Sequence, residues 1–304
     1  MSNPKPHSPP SKMYLLMEEG LKSYQEERKA ITSSQLDAML ATGKKLLEKA
    51  QIVETLLQGG TAIFPHTFLL QSGSQIAAVA QAALLAAEKS GKNQILVIGV
   101  LHALSEKIWA GRQLEIAGEN VHTHPCRGIF VPGHPITEWE FSLDNFLFLL
   151  DHAANKGGKE TPKVVVRYPN HVAGSPDTLE GIEELRELAA TSIVVGTGDL
   201  LHHGACYGTP KEKVMPVGDA SFKHALATIQ HGLKLLCEES LLAYRDHCYE
   251  VVSDMFEVGQ ILRTLLGPLE SEVHDCRLVD LVDFFDGHAG PNWVAASLVA
   301  LKKI

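Results

Sequence analysis

The sequence is poor in the features that announce several common protein classes. Cysteine is scarce, at Cys126, Cys206, Cys237, Cys248 and Cys276. An odd count with no Cys-x-x-Cys pair fits neither a disulfide framework nor a cysteine-rich zinc module, and it suits a reducing compartment. There is no basic excess. Lys and Arg number 27 against 36 Asp and Glu, a formal charge of −9 with no dense basic run, which argues against a nucleic-acid binder held by phosphate neutralisation. The longest apolar run, Ile76 to Ala87, falls short of the roughly 18 residues that span a bilayer. The Pro- and Ser-rich N-terminus carries no apolar signal core. Neither a serine nucleophile elbow nor a phosphate loop occurs, and Gly196-Thr-Gly-Asp-Leu-Leu lacks the third glycine of a dinucleotide fingerprint. A soluble cytoplasmic protein is expected, with no nucleic-acid or membrane partner.

What is present is an ordinary globular composition, 304 residues with 45% hydrophobic content, enough for a sizeable core. Residues 1–11 read as a disordered tail and 12–60 as a helical N-terminal extension. Within it Met13 to Lys29 and Ser34 to Leu57 carry helical patterns, the second with Ser33 or Ser34 as N-cap. From 61 to 304 strand and helix patterns alternate. Thr61–Pro65, Gln94–Gly99, Arg127–Val131, Lys163–Arg167 and Ser192–Gly196 read as strands. Ser74–Glu88, Thr137–His152, Asp177–Ala190, 219–242 and 253–266 read as helices, and Arg277–Phe285 and Trp293–Leu301 as late strands. Such alternation predicts one α/β domain with a largely parallel or mixed central sheet flanked by helices.

The abundant residue is histidine, 15 in all. In open α/β sheets ligands bind beyond the carboxyl ends of the strands, and histidines fall there three times. His66 follows Ile63-Phe64-Pro65, His102 lies three residues after Gly99, and His202 and His203 follow Ser192–Gly196 through a segment holding Asp199. Taken singly, a histidine after a strand is ordinarily a loop residue bonded to backbone. Three at equivalent strand ends converge if the strands are parallel neighbours. Two histidines and a carboxylate with open positions suit non-haem Fe(II), and a third can move protons near neutral pH. Weaker signals have blander readings. His122-Thr-His-Pro-Cys126 and His288 read as surface turns, Phe141, Phe146, Phe148, Leu149 and Leu150 as a core helix face, and Asp280, Asp283 and Asp286 as a solvated edge.

On these residues the chain resembles the Memo-like proteins, which share a fold with the class III extradiol ring-cleaving dioxygenases. The similarity is distant and runs from about Thr61 to Leu301. Pro65-His66-Thr-Phe-Leu-Leu-Gln-Ser72-Gly73 resembles the family's Pro-His-Ala-Gly-Tyr then Ser-Gly. Ile98-Gly99-Val-Leu-His102 resembles Leu-Gly-Pro-Ser-His. Gly198-Asp199-Leu-Leu-His202-His203-Gly204 resembles Ser-Asp-x-x-His-x-Gly, the most specific match. The resemblance implies His66 and His102 as metal ligands and Asp199 and His202 as a neighbouring acid–base pair. Two departures stand out. The family's Glu-His-Ser appears as Glu140-Phe141-Ser142, and the third-ligand position falls on Ser253, with Asp254 beside it. Serine is a poor ligand for Fe(II), whereas Asp254 restores a two-histidine–one-carboxylate triad if the backbone presents it.

The leading expectation is therefore a metal-dependent oxidoreductase of the extradiol-dioxygenase type. Fe(II) is the first choice of metal, with Zn and Cu as alternatives. His66, His102 and Asp254 would bind it, His202 oriented by Asp199 would act as base and then acid, and Gly73 would let the loop backbone pass close to the site. Partners would be a small catechol-like substrate and O2, with a homo-oligomer compatible. The rivals are a non-catalytic Memo-like metal-binding or interaction module, and a Zn-dependent hydrolase using the same pocket.

Overall fold

The computed structural model describes residues 10–102, 105–238, 240–284 and 290–304. Its helices are α1 (Pro10–Ala30), α2 (Ser33–Lys49), α3 (Ile52–Leu57), α4 (Leu69–Ser90), α5 (Glu106–Ile116), α6 (Asp144–Lys156), α7 (Ile182–Thr191), α8 (Asp219–Glu238), α9 (Leu241–Glu250) and α10 (Phe256–Leu266). The strands are β1 (Thr61–Phe64), β2 (Gln94–Ile98), β3 (Gly128–Phe130), β4 (Lys163–Asn170), β5 (Ile193–Thr197), β6 (His202–Gly204), β7 (Leu269–Asp280) and β8 (Asn292–Lys303).

Four parallel strands, β4-β2-β5-β1, form the centre of a mixed eight-stranded sheet. Their runs, such as Ile95-Leu-Val-Ile98 and Ile193-Val-Val195, are buried on both faces, as parallel strands under helices require. β3 closes one edge antiparallel to β4. At the other, β8 pairs β1 through Val299–Leu301 and β6 through Asn292–Val294. Because β7 pairs the same β8 residues simultaneously, it must lie along β8's opposite edge. The sheet is thus mixed, its parallel core extended by antiparallel strands.

The N-terminal helices belong to the same core. Leu36, Met39, Leu40 and Leu47 of α2 and Ile52, Val53 and Leu56 of α3 pack with α4 and α6 in one hydrophobic cluster. The expected single helix over Ser34–Leu57 breaks at Gln51, whose φ of 49° is left-handed. Its cap is Thr32, not Ser33 or Ser34: the Thr32 hydroxyl accepts from the Gln35 N–H, and the Gln35 side chain accepts from the Thr32 N–H, a capping box. Helix α1 begins at Pro10, inside the expected tail; residues 1–9 lie outside the described residues, as do His288 and Asp286.

Other boundaries differ for local reasons. α4 starts at Leu69 rather than Ser74, and among the described residues it is the one helix long and apolar enough to cross a membrane; 72% of that window is buried inside the protein, as befits a core helix. Gly73 therefore sits within α4. A Cβ there would meet Met39 Sδ at 2.6 Å, so its bareness serves the α2–α4 contact and not the site. Phe141 precedes α6 instead of joining its core face, and α5 and α9 were hidden by weak amphipathic patterning.

At Gly43 α2 comes up against the backbone of α4, where a Cβ would lie 2.8 Å from Ala78 N and 2.9 Å from Ser74 O. Backbone cannot yield as a flexible side chain can. Gly43→Ala is expected to lose about 1 kcal/mol or more, overpacking outweighing the gain in helix propensity; a lower urea midpoint at unchanged m would show it.

Candidate metal centre

The carboxyl ends of β1, β2 and β5 deliver His66, His102 and Asp199 to one rim of the sheet, and β6 adds His202. Asp254, in the turn before α10, meets them. Its Oδ2 lies 3.1 Å from His66 Nε2, 4.0 Å from His102 Nε2 and 3.9 Å from His202 Nε2. His66, His102 and Asp254 form one group whose ligand atoms all lie within 4.8 Å of one another, and Asp199, His202 and Asp254 form a second. The sequence-derived site residues are brought together.

The tautomers follow from the other ring nitrogens. His202 Nδ1–H donates to the Val252 carbonyl at 2.6 Å, an oxygen that can only accept. His102 Nδ1–H donates to the Glu140 carboxylate at 3.0 Å. Thr197 gives its hydroxyl proton to the Phe64 carbonyl at 2.9 Å, so its oxygen accepts from His66 Nδ1–H at 3.3 Å. Every Nδ1 is thus a donor, and each ring presents its Nε2 to Asp254 Oδ2; on His66 that nitrogen carries a proton shared with the carboxylate at 3.1 Å, which a metal ion would replace. Acceptors behind each ring are the usual means of orienting metal-binding imidazoles.

Asp254 is equally constrained. Its N–H donates to Asp199 O at 3.2 Å, and Asp199 N–H donates to Asp254 Oδ1 at 2.7 Å. One carboxylate oxygen is thereby spoken for and Oδ2 faces the histidines. Ser253 takes no part in the cluster: its hydroxyl donates to Asp199 O at 3.2 Å and accepts from Met255 N–H. Of the two neighbours considered for the third-ligand position, the backbone turns Asp254 inward. Val252, one turn position earlier, carries a left-handed φ of 54°, a strain for a β-branched residue that aims its carbonyl at His202.

The pocket is electrostatically short of positive charge. Burial pulls the His66 imidazole down, but the Asp199 and Asp254 carboxylates outweigh it and lift it to about 9. Burial pushes the Asp254 carboxyl up, and His66, His202 and His102 more than reverse this, holding it well below the usual range. Asp199 is raised, by burial and by Asp254 beside it, and its buried Oδ1 has no hydrogen-bond partner among the described residues. A buried oxygen without a partner among the described residues, three imidazole Nε2 atoms around one carboxylate oxygen and that carboxylate match the donor set that divalent Fe, Zn or Cu accepts. Ligand atoms sharing one ion about 2.1 Å away stand roughly 3 to 4 Å apart, the spacing seen here. The residues fit a metal.

Two expectations need correction. Asp199 does not orient His202; the Val252 carbonyl does, while Asp199 Oδ2 lies 3.7 Å from His66 Nε2. Phe141 is buried as expected, but it lies before α6 and not on its face, and it stacks on His102 with ring centroids 4.6 Å apart and planes 7° from parallel. Glu140 was missed as a site residue although the Glu-Phe-Ser segment drew notice. It accepts from the backbone N–H groups of His102, Phe141 and Ser142 as well as from the His102 ring, a role no spacing reveals. No protein-family model matches the chain, and no curated protein matches it.

Beside this centre a second buried group, Glu115, His171 and Glu257, already contains its cation. Arg112 Nη2 lies 3.4 Å from Glu257 Oε2, and its guanidinium rests on the Phe256 ring at 4.0 Å. His171 Nδ1 pairs with Glu115 at 3.2 Å, and its backbone N–H donates to Glu257. The network clamps the N-terminal turn of α10, which carries Asp254 at its threshold. His124 lies against His171 rather than standing alone in a surface turn.

Glu140→Gln should leave the fold intact and weaken metal binding by about 10- to 100-fold, the usual cost of losing a histidine's supporting carboxylate; titration calorimetry with the metal ion measures it. A pH effect follows from Glu257. Burial raises its carboxyl, Arg112 opposes and Glu115 adds, leaving it at about 8 instead of 4.5. The folded state then holds a proton that the unfolded state releases near 4.5, so this contribution is complete below 4.5 and disappears as pH rises through about 8. Urea titrations across that window should show stability falling with pH by at least about 1 kcal/mol in the wild type relative to Glu257→Gln.

Proposed function

We propose that the chain is a metal-dependent oxidoreductase of the class III extradiol-dioxygenase type, with non-haem Fe(II) held by His66, His102 and Asp254. The observation that carries this reading is the convergence of three Nε2 atoms on Asp254 Oδ2, each ring fixed through its Nδ1. Bound Fe(II) would supply Lewis acidity toward the oxygens of a chelating substrate and a one-electron route to O2.

The chain's own groups supply positioning and proton movement. His202 Nε2 accepts the proton of a substrate hydroxyl, and Val252 O, holding Nδ1–H, stabilises the imidazolium that forms. The same ring returns the proton later in the cycle. Asp199, buried beside His66, keeps that imidazole turned into the cluster. Phe141, flat on His102, excludes water from the back of the ring. The substrate is a small catechol-like molecule and the second partner is O2. The five cysteines form no disulfide among the described residues, which supports the reading of a cytoplasmic protein.

Phe141 also favours a second reading, because it stands where the resembled family has histidine. A metal-binding module without turnover would hold the ion and consume no oxygen. Zinc-dependent hydrolysis would persist without O2. Anaerobic reconstitution with Fe(II), followed by metal analysis, should give about one iron per chain in the wild type and a loss of at least tenfold in His66→Ala/His102→Ala. Oxygen uptake with a panel of catechols should then appear in the wild type and fall by 100-fold or more in His202→Ala. Equal, negligible iron in both proteins would remove the proposal, and iron without oxygen uptake would leave the binding module in its place.

A further inference from the structure

Helix α1 crosses the rim where the metal centre lies, and it is fastened there by polar contacts at the ends of two other helices. The Glu27 carboxylate accepts from Leu69 N–H at 2.7 Å and Leu70 N–H at 2.9 Å. These are opening amides of α4, whose own N-cap, Phe68, offers no side-chain bond. Arg28 reaches Asp144 Oδ2 at 2.9 Å and Asn145 Oδ1 at 3.1 Å in the first turn of α6. A carboxylate on a helix N-terminus satisfies otherwise orphaned donors and opposes the helix dipole.

Between these contacts and the metal centre stands Tyr24. Its ring packs on Phe68 at 4.5 Å and on Phe141 at 5.3 Å between centroids, and Phe141 is the ring stacked on His102. Tyr207 approaches from the other side, its ring 4.7 Å from that of His202. Tyr24 is half-buried, and its hydroxyl makes no hydrogen bond to any described residue. Burial first, then Asp199, Glu27 and Asp254, raise its phenol above the ordinary value, so it stays a proton donor at neutral pH. A half-buried phenol flanked by Phe68 and Phe141, with no partner among the described residues, keeps its hydrogen bond for water or for a ligand in the site.

We propose that Tyr24 is a substrate-contacting residue, donating a hydrogen bond to an anionic oxygen of the ligand bound at the His66–His102–Asp254 centre, and that α1 is accordingly one wall of the active site. This rests on the metal-centre reading above. The contact selects ligands with a deprotonated oxygen directed toward α1. It also explains why α1 is fastened at two helix N-termini, since a donor on a loosely held helix would give little selectivity.

The full-length protein, loaded anaerobically with Fe(II), is titrated with 4-nitrocatechol, whose absorption band reports its ionisation. Wild type, Tyr24→Phe and Tyr24→Ala are compared, and iron content is measured on each sample. Tyr24→Phe keeps the ring packing and should retain iron within twofold of wild type. It should bind the probe about five- to tenfold more weakly, and the dianion band of the bound probe should appear about one pH unit higher. Tyr24→Ala should show the same band shift. Iron retained with wild-type probe affinity and band position in Tyr24→Phe overturns the inference alone, including the case where Tyr24→Ala weakens binding through packing. A probe that binds none of the iron-loaded proteins overturns it too. A wild type that holds no histidine-dependent iron overturns the metal-centre reading and this inference with it.

Discussion

Three imidazoles share one direction because three unrelated acceptors hold their far sides. The Val252 carbonyl, the Glu140 carboxylate and the Thr197 hydroxyl each take an Nδ1–H, which leaves the inner Nε2 atoms to face the carboxylate. Without those acceptors the rings would be free to rotate or to change tautomer, and the same histidines at the same strand ends would make no site. The consequence is electrostatic. Asp199 is buried and Asp254 and Glu140 are largely so, and carboxylates taken out of water need compensating charge. A proton on His66 can supply one unit, which is why that ring is lifted to about 9. A divalent cation bound there would supply two and take that proton's place. The pocket's preference for positive charge is therefore a property of the chain itself.

Asp254 depends on structure some distance behind it. Its turn is stitched to the Asp199 loop by hydrogen bonds in both directions, and the Arg112–Glu257 contact anchors the helix that follows. Left-handed, non-glycine backbone occurs at Val252 on the turn and at His171 and Ala173 opposite it. Each such residue costs of the order of 1 kcal/mol or more. They are held by the contacts around them: His171 by its paired backbone and ring in the buried network, Val252 by the His202 bond. Strain in these places is what turns Asp254 toward the histidines and Ser253 away.

The sequence was legible where periodicity or strand position carries the information. Buried runs such as Gln94–Ile98 and Ile193–Thr197 declare central strands, and the histidines that follow them declare the rim. That much rests on local pattern. It failed where the determinant is long-range. Glu140 is 38 residues from His102, and Thr197 is 131 from His66; their segments stand out, but nothing local shows which ring each would hold. The split at Gln51 and the early start of α4 reflect tertiary packing that overrides propensity. Gly73 misled because a glycine near a histidine suggests a flexible loop, whereas its neighbour across space is Met39. Phe141 is buried as its pattern implies, but nothing local shows that the ring it packs on is His102.

The N-terminal helix raises a further physical point. A parallel sheet presents its carboxyl ends to solvent unless something covers them, and the helices that follow such strands begin with unpaired N–H groups. Here one covering element meets both needs. Glu27 satisfies the start of α4 while Tyr24, one turn earlier, lies over the aromatic ring backing His102. Residues three apart on a helix face the same way, so the capping contact fixes where the phenol points. Loss of the Glu27 contact would release Tyr24 as well, and stability at the start of α4 is thereby tied to the shape of the site. Capping and the lining of the pocket are a single arrangement, which is why α1 cannot be regarded as an appendage to the α/β core.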